Sequence, residues 1–276
     1  MVLAAASLVE AARVEGGKKV PGSFWGRGPK SAWHLFKEDS MQLDEFTEGL
    51  QKTYGTNLIS VILYGSAAGR DFHEDYSDYN IAVVLKELSL EEIGRSAKFC
   101  RKWMQKSIFS SNPLPLFIDP EYIETSSDVF PLEFLDIQEN NRVLFGENVF
   151  SNIKISQENL RLECESELKS KILALRQGFL RIYPSKRKAK KMMFATSSSL
   201  FAIFRGFLRL LGEKVPATKR EVLAKLNEKT KFDTAIFDKI LDVREGKTKL
   251  SRSEIWTWME EYLTTLKKMA RVADTL

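Results

Sequence analysis

The residues whose types and spacing could do chemistry lie between Leu63 and Leu85. Gly65-Ser66 closes the apolar run Leu58 to Leu63, and Gly69-Arg70 follows shortly after. Ser77-Asp78-Tyr79-Asn80 then opens a second apolar run, Ile81 to Leu85. Glycine lets a backbone turn tightly and approach a ligand closely, which a Cβ would hinder. A chain that leaves a strand through Gly-Ser and enters a short helix aims N–H groups and a hydroxyl outward, which suits phosphate oxygens. Side chains alternate along a strand, so Asp78 and Asn80 fall on one face of the second run. Two hard oxygen ligands opposite a phosphate-holding turn are what a metal-dependent phosphate enzyme requires. The plain alternative is an ordinary Gly-Ser turn with Asp78 capping a strand.

Gly65-Ser66, a spacer, and Asp78-Tyr79-Asn80 followed by an apolar strand resemble the nucleotidyltransferase superfamily of the DNA polymerase β type. That family's signature is Gly-Ser, a spacer, then Asp-x-Asp or Asp-x-Glu. The chain departs from it at position 80, which is Asn where the catalytic members have a second acid. The resemblance implies transfer of a nucleoside monophosphate from a nucleoside triphosphate, ATP by expectation, to an acceptor hydroxyl with the help of Mg²⁺. Asp78 would then bridge the metal ions and Asn80 would be a weakened ligand. The Gly65 amide and Ser66 hydroxyl would hold phosphates. Arg70 would either add charge there or be a solvated loop residue.

The family also takes a third carboxylate from a later strand beside the first two. The alternation in Phe130-Pro-Leu-Glu133-Phe-Leu-Asp136-Ile137 reads as such a strand, with Glu133 set apart from Leu132 and Phe134. Glu133 is the expected third metal ligand and the group that helps deprotonate the acceptor. Asp136 is its rival, and a surface carboxylate on an edge strand is the plain alternative. Asn141-Arg-Val-Leu-Phe-Gly146 resembles the segment that closes the family's domain.

Around these residues the composition is that of a water-soluble globular chain, 43% hydrophobic and 29% charged over 276 residues. No apolar run approaches the roughly 20 residues that span a bilayer. Met1 to Ala12 lacks the charged start and apolar core of a secretory signal. Cys100 and Cys164 are the two cysteines and read as reduced packing residues, as in cytoplasm; His34 and His73 are the two histidines, too few for a Cys/His zinc cluster. The net charge of +5 conceals an asymmetry. Residues 41–150 hold 9 Lys and Arg against 18 Asp and Glu, whereas 151–276 hold 27 against 15.

The elements needed to position the motif follow from periodicity. Residues 1–40 are rich in breakers (Gly16-Gly17, Pro21-Gly22, Gly28-Pro29) and read as a disordered extension. Met41 starts an amphipathic helix with Leu43, Phe46, Leu50 and Tyr54 on one stripe. Another helix covers Ser89 to Phe109, and Leu116-Phe-Ile118 is a short strand. The expected fold is an α/β core with a mixed sheet over 41–150, followed by an all-α bundle over 151–276. Ser156 and the Thr218…Glu221 capping box mark two helix starts in that bundle, and Ser251 or Ser253 marks a third. Lys186, Arg187, Lys188, Lys190 and Lys191 crowd the start of a further helix. They read either as a phosphate or nucleic-acid contact, or as a solvated basic end beside Glu163, Glu165 and Glu167; no base-stacking aromatic stands next to them in sequence. An inactive nucleotide-binding protein is the second functional expectation, and an interaction module pairing with an antitoxin-type partner or as a homodimer is the third. The acceptor (small molecule, protein or RNA) has no motif.

Overall fold

The computed structural model describes residues 32–68, 79–105, 113–230 and 232–276, with side chains throughout except at 32–42, 66 and 105. The expectations for Arg70, Asp78 and residues 1–31 lie outside the described residues. The chain divides into two compact units. Among the described residues, one contains 32–125 and Ile137–Ile153, and the other Ser126–Asp136 and Lys154–Leu276.

The first unit is built on four strands: β1 (Leu58–Tyr64), β2 (Asn80–Leu85), β3 (Leu116–Ile118) and β4 (Asn141–Gly146). Their order is β3-β2-β1-β4. β1 pairs antiparallel with β2 and β4, and β2 pairs parallel with β3, so the sheet is mixed. Both faces of the inner strands are buried: Val61, Leu63, Ile81 and Val83 on one, Ile62, Ala82 and Val84 on the other. Burial on both faces is why β1 and β2 read as unbroken apolar runs.

Helices α1 (Ala32–Tyr54) and α2 (Leu90–Gln105) belong to the same core as the first of those faces. Phe46 of α1 packs on Phe99 and Trp103 of α2, with ring centroids 5.0 Å and 4.5 Å away. The Tyr54 hydroxyl reaches Ser96 Oγ at 2.7 Å and the Glu92 carbonyl at 3.0 Å, tying the end of α1 to α2. The helix expected from Met41 begins at Ala32 instead. Ala32 to Ser40, part of the expected disordered extension 1–40, contains neither Gly nor Pro, so nothing in that stretch breaks the helix. The short α3 (Pro120–Ser126) follows β3, with Asp119 Oδ1 accepting the Tyr122 N–H at 2.7 Å.

One element overturns the sequence reading. The expected strand around Glu133 is a helix, α4 (Pro131–Glu139). Pro131 occupies its first position, where a missing N–H costs nothing and φ is preset for a helix. Leu132 and Leu135 are three residues apart and pack with the helical core, while Phe134 and Ile137, also three apart, are buried as well. Two interleaved helical pairs mimic a strand's alternation.

The second unit adds α5 (Gln157–Ile182), α6 (Lys186–Leu210), α7 (Lys219–Thr230), α8 (Ala235–Arg244) and α9 (Ile255–Ala273). Ser156 caps α5 by accepting the Asn159 N–H at 3.0 Å. At α7, the Glu221 N–H donates to Thr218 Oγ1 at 3.3 Å and the Thr218 N–H to Glu221 Oε2 at 3.1 Å, a closed capping box. At α9 neither Ser251 nor Ser253 is the cap; Glu254 holds that position. α6 is the central helix, burying Leu200, Phe201, Phe204 and Phe207. Edge-on ring contacts continue from Phe204 to Phe237 at 4.9 Å and from Phe237 to Tyr262 at 5.3 Å. Among the described residues, no helix is long and apolar enough to cross a membrane.

Candidate nucleotide site

β1 ends in a 3₁₀ turn, Gly65–Ala67, and Gly65 adopts φ of 77°, a left-handed conformation that side chains resist. Its N–H donates to the Asn140 carbonyl at 3.0 Å, and its carbonyl accepts the Ala68 N–H at 3.0 Å. The turn is therefore clamped against the residue that precedes β4. A Cβ on Gly65 would lie 3.2 Å from Asn80 Nδ2, so the Asn80 amide rests directly on the turn. This close approach is the second reason, beside φ, for glycine at 65.

Tyr64 is in register with Asn80 on one side and Asn141 on the other. Directly opposed residues of antiparallel strands point to the same face. Tyr64, Asn80 and Asn141 thus share the sheet face of Ile62 and Ala82, opposite the face packed by α1 and α2. Asn141 is held in place: its Nδ2 donates to the Ile137 and Gln138 carbonyls at 2.9 and 3.0 Å, and its Oδ1 accepts from Asn148 Nδ2 at 3.2 Å. The sequence marks Asn141 only as the start of a domain-closing segment; its place in this face depends on β4 returning beside β1.

Of the residues singled out from the sequence, Gly65 and Asn80 meet at this end of the sheet. Ser66 lies in the same turn, with its side chain outside the description, and Asp78 and Arg70 lie outside the described residues. The strand beside β2 is β3, in register at Ala82↔Leu116, and it carries no acid. β4, beside β1, carries none either. Among the described residues there is no cluster of three or more metal-ligating side chains. By residue type, Asp78 with Asn80 would offer Mg²⁺ one anionic and one neutral oxygen, a weaker donor set than two carboxylates.

Glu133 belongs to a different arrangement. On α4 it hydrogen-bonds Glu163 of α5, whose Oε2 also accepts the Leu132 N–H at 2.6 Å. Burial, followed by the negative charge of Glu133, pushes the Glu163 carboxyl up to about 9. Burial beside a second carboxyl group thus favours the protonated form of Glu163. Asp136, the rival third acid, pairs with Arg205 of α6 at 3.6 Å. Close helix packing sets up this region: a Cβ on Gly206 of α6 would come within 2.5 Å of the Leu132 side chain and 2.7 Å of Cys164 Sγ. Nothing in the sequence marks Glu163, which sits among three alternating glutamates of an amphipathic helix.

No protein-family model matches the sequence. The chain is 33% identical over 87 residues to the Methanocaldococcus jannaschii protein named "Putative protein adenylyltransferase MJ1305". That match takes in 31% of this chain and spans 58% of the relative's own length. The fold is similar to the crystal structure of spectinomycin adenyltransferase AAD(9) from Enterococcus faecialis, solved with ATP and spectinomycin. The TM-score is 0.53 at 13% identity, over 85% of this chain and 99% of that one. The mixed-sheet α/β core followed by a helical region is thus a fold that this chain shares with that adenyltransferase.

Proposed function

We propose that the chain binds a nucleoside triphosphate at the Gly65 turn and transfers its nucleotidyl group to an acceptor hydroxyl, at a rate held down by Asn80. The observation that carries this reading is the meeting of the left-handed Gly65 turn with Asn80 across β1 and β2. The names of the two relatives support ATP as the nucleotide. Because the Gly65 N–H is engaged by Asn140, the amides of Ser66 and Ala67, next in the 3₁₀ turn, are the donors assigned to the phosphates. This replaces the role first given to the Gly65 amide. Asp78 and Asn80 would hold Mg²⁺, which supplies positive charge to the leaving pyrophosphate. Asn80 orients that end of β2 and excludes a second negative charge from it.

A second reading, binding without transfer, is favoured by the acid-free β3 and β4 beside the site. Thermal stabilisation by MgATP, measured with wild type and Asp78→Ala, tests the site itself. Stabilisation of wild type alone is expected, and equal stabilisation of both would remove the assignment. Transfer of label from ATP to protein, RNA or small-molecule acceptors separates the two readings. Stabilisation without any transfer, even for Asn80→Asp, would leave the binder.

A further inference from the structure

The junction of α5 and α6 carries a surface that the nucleotide reading leaves unused. Lys186, Arg187, Lys188, Lys190 and Lys191 occupy the first two turns of α6, the end of a helix that disfavours cations. The neighbouring glutamates do not neutralise them. Glu165 pairs with Arg161 and Lys169, Glu167 with Lys171, and Glu163 faces Glu133 and the Leu132 N–H. Among the described residues, no carboxylate forms an ion pair with Lys186, Arg187, Lys188 or Lys191.

The fold gathers aromatic rings near the first of these cations. Phe179 and Tyr183 at the end of α5 meet Trp256 of α9, with centroids 5.3, 5.6 and 5.5 Å apart around the triangle. Tyr183 is 62% exposed and the adjacent Leu180 81%. The Ser185 N–H donates to the Ile182 carbonyl at 2.7 Å, closing a tight turn. The first cation, Lys186, is three residues from Tyr183, a backbone reach of at most about 11 Å. An apolar groove of ≈ 360 Å³ continues from the rings between α5 and α9, walled by Leu175, Met193, Met259 and Leu263. Arg176 and Glu260 also line it.

We propose that this end of the helical unit binds a single-stranded polynucleotide, its bases stacking on the Tyr183–Trp256 surface and its phosphates held by Lys186, Arg187, Lys188 and Lys191. Unneutralised cations beside exposed planar rings are the two parts that single-strand binding needs. A duplex hides its base faces and would use the cations alone. An acidic peptide would satisfy the cations and the groove but has no use for an exposed ring face. Glu260 in the groove repels phosphate, which places the backbone on the α6 side. The proposal stands apart from the transfer reading, because it uses none of the residues at the Gly65 turn.

The test is fluorescence anisotropy of the full chain with a labelled oligouridylate of about ten nucleotides, without triphosphate, over a range of salt. Wild type is expected to bind with a log–log salt slope of about −2 to −3, from three or four phosphate contacts. The combined change Lys186→Gln, Lys188→Gln and Lys191→Gln should flatten that slope by about 2. Tyr183→Ala should lower affinity about tenfold at unchanged slope, and Tyr183→Phe should restore it. Melting temperatures of these surface variants should match wild type. The proposal fails if Tyr183→Ala binds like wild type, or if a duplex or heparin binds as well as the single strand. It fails equally if ATP displaces the oligonucleotide, or if an acidic peptide binds here and the oligonucleotide does not.

Discussion

At Asn80 the chain presents a neutral amide where the Asp-x-Asp pattern has a second acid, whereas at Glu133 and Glu163 it sets two carboxyl groups side by side within helix packing. One place lacks the charge that the two-acid pattern carries; the other holds a carboxyl group whose charge its surroundings reject. The lesson is about solvent and counter-charge. A carboxylate near a phosphate site is stabilised only when a cation is bound, so its loss leaves the apo fold undisturbed and changes ligand binding. A carboxyl group among packed helices is held neutral at the expense of stability at higher pH, so its loss changes the fold and leaves the nucleotide untouched.

The largest effect expected from this contrast is that of Asn80→Asp on Mg²⁺-dependent binding. A negative charge about 4 Å from a divalent ion gains roughly 8 kcal/mol at an effective dielectric of about 20. Most of this is offset by desolvating the new carboxylate. A remainder of about 3 kcal/mol would strengthen MgATP binding, or speed transfer, by roughly a hundredfold. Calorimetric titration of ATP with and without Mg²⁺ reads it directly. A wild type that transfers fast, and that Asn80→Asp slows, would make Asn80 a working catalytic group and end the charge comparison.

Glu163→Gln should act on the other side, by about 2 kcal/mol of stability. The folded-state pKa of Glu163 is raised above the unfolded value by burial and by Glu133. Its contribution is therefore fully present below the unfolded pKa near 4.5 and is lost as pH rises toward about 9. Glutamine, which cannot ionise, should match wild type near about pH 4 and exceed it near about pH 8. Denaturant melts at the two pH values check the sign. Equal stability changes at both would show that Glu163 is ionised in the folded protein.

A smaller effect, about 1–2 kcal/mol, is expected for Gly65→Ala through the backbone alone. The left-handed φ and the 3.2 Å approach to Asn80 make any Cβ strained there. The apo protein should melt lower, and MgATP stabilisation should fall with it. An apo melt identical to wild type would mean that the turn relaxes freely, and the clamp from Asn140 would not be what shapes the site.

How much of this was legible in the sequence differs between the two regions for physical reasons. The glycine turn and β1–β2 were readable because fully buried strands and a tight turn leave local signatures in Leu58 to Leu85. The caps at Ser156 and Thr218…Glu221 were readable for the same local reason. The α4 segment was not, since a nine-residue helix buried on more than one side has no clean period. The Glu133–Glu163 contact and the Phe179–Tyr183–Trp256 rings join distant parts of the chain, and no local pattern encodes such meetings.

The smallest and most discriminating change is Glu133→Gln. Burial is the leading cause of the raised Glu163 pKa and the Glu133 charge comes after it. A neutral glutamine keeps a hydrogen-bonding partner for Glu163 and removes only the second cause. The loss of stability between about pH 5 and pH 8 should therefore shrink by less than half, on the order of 0.5–1 kcal/mol, with most of the slope retained. A slope that vanishes would assign the shift to the neighbouring charge rather than to burial.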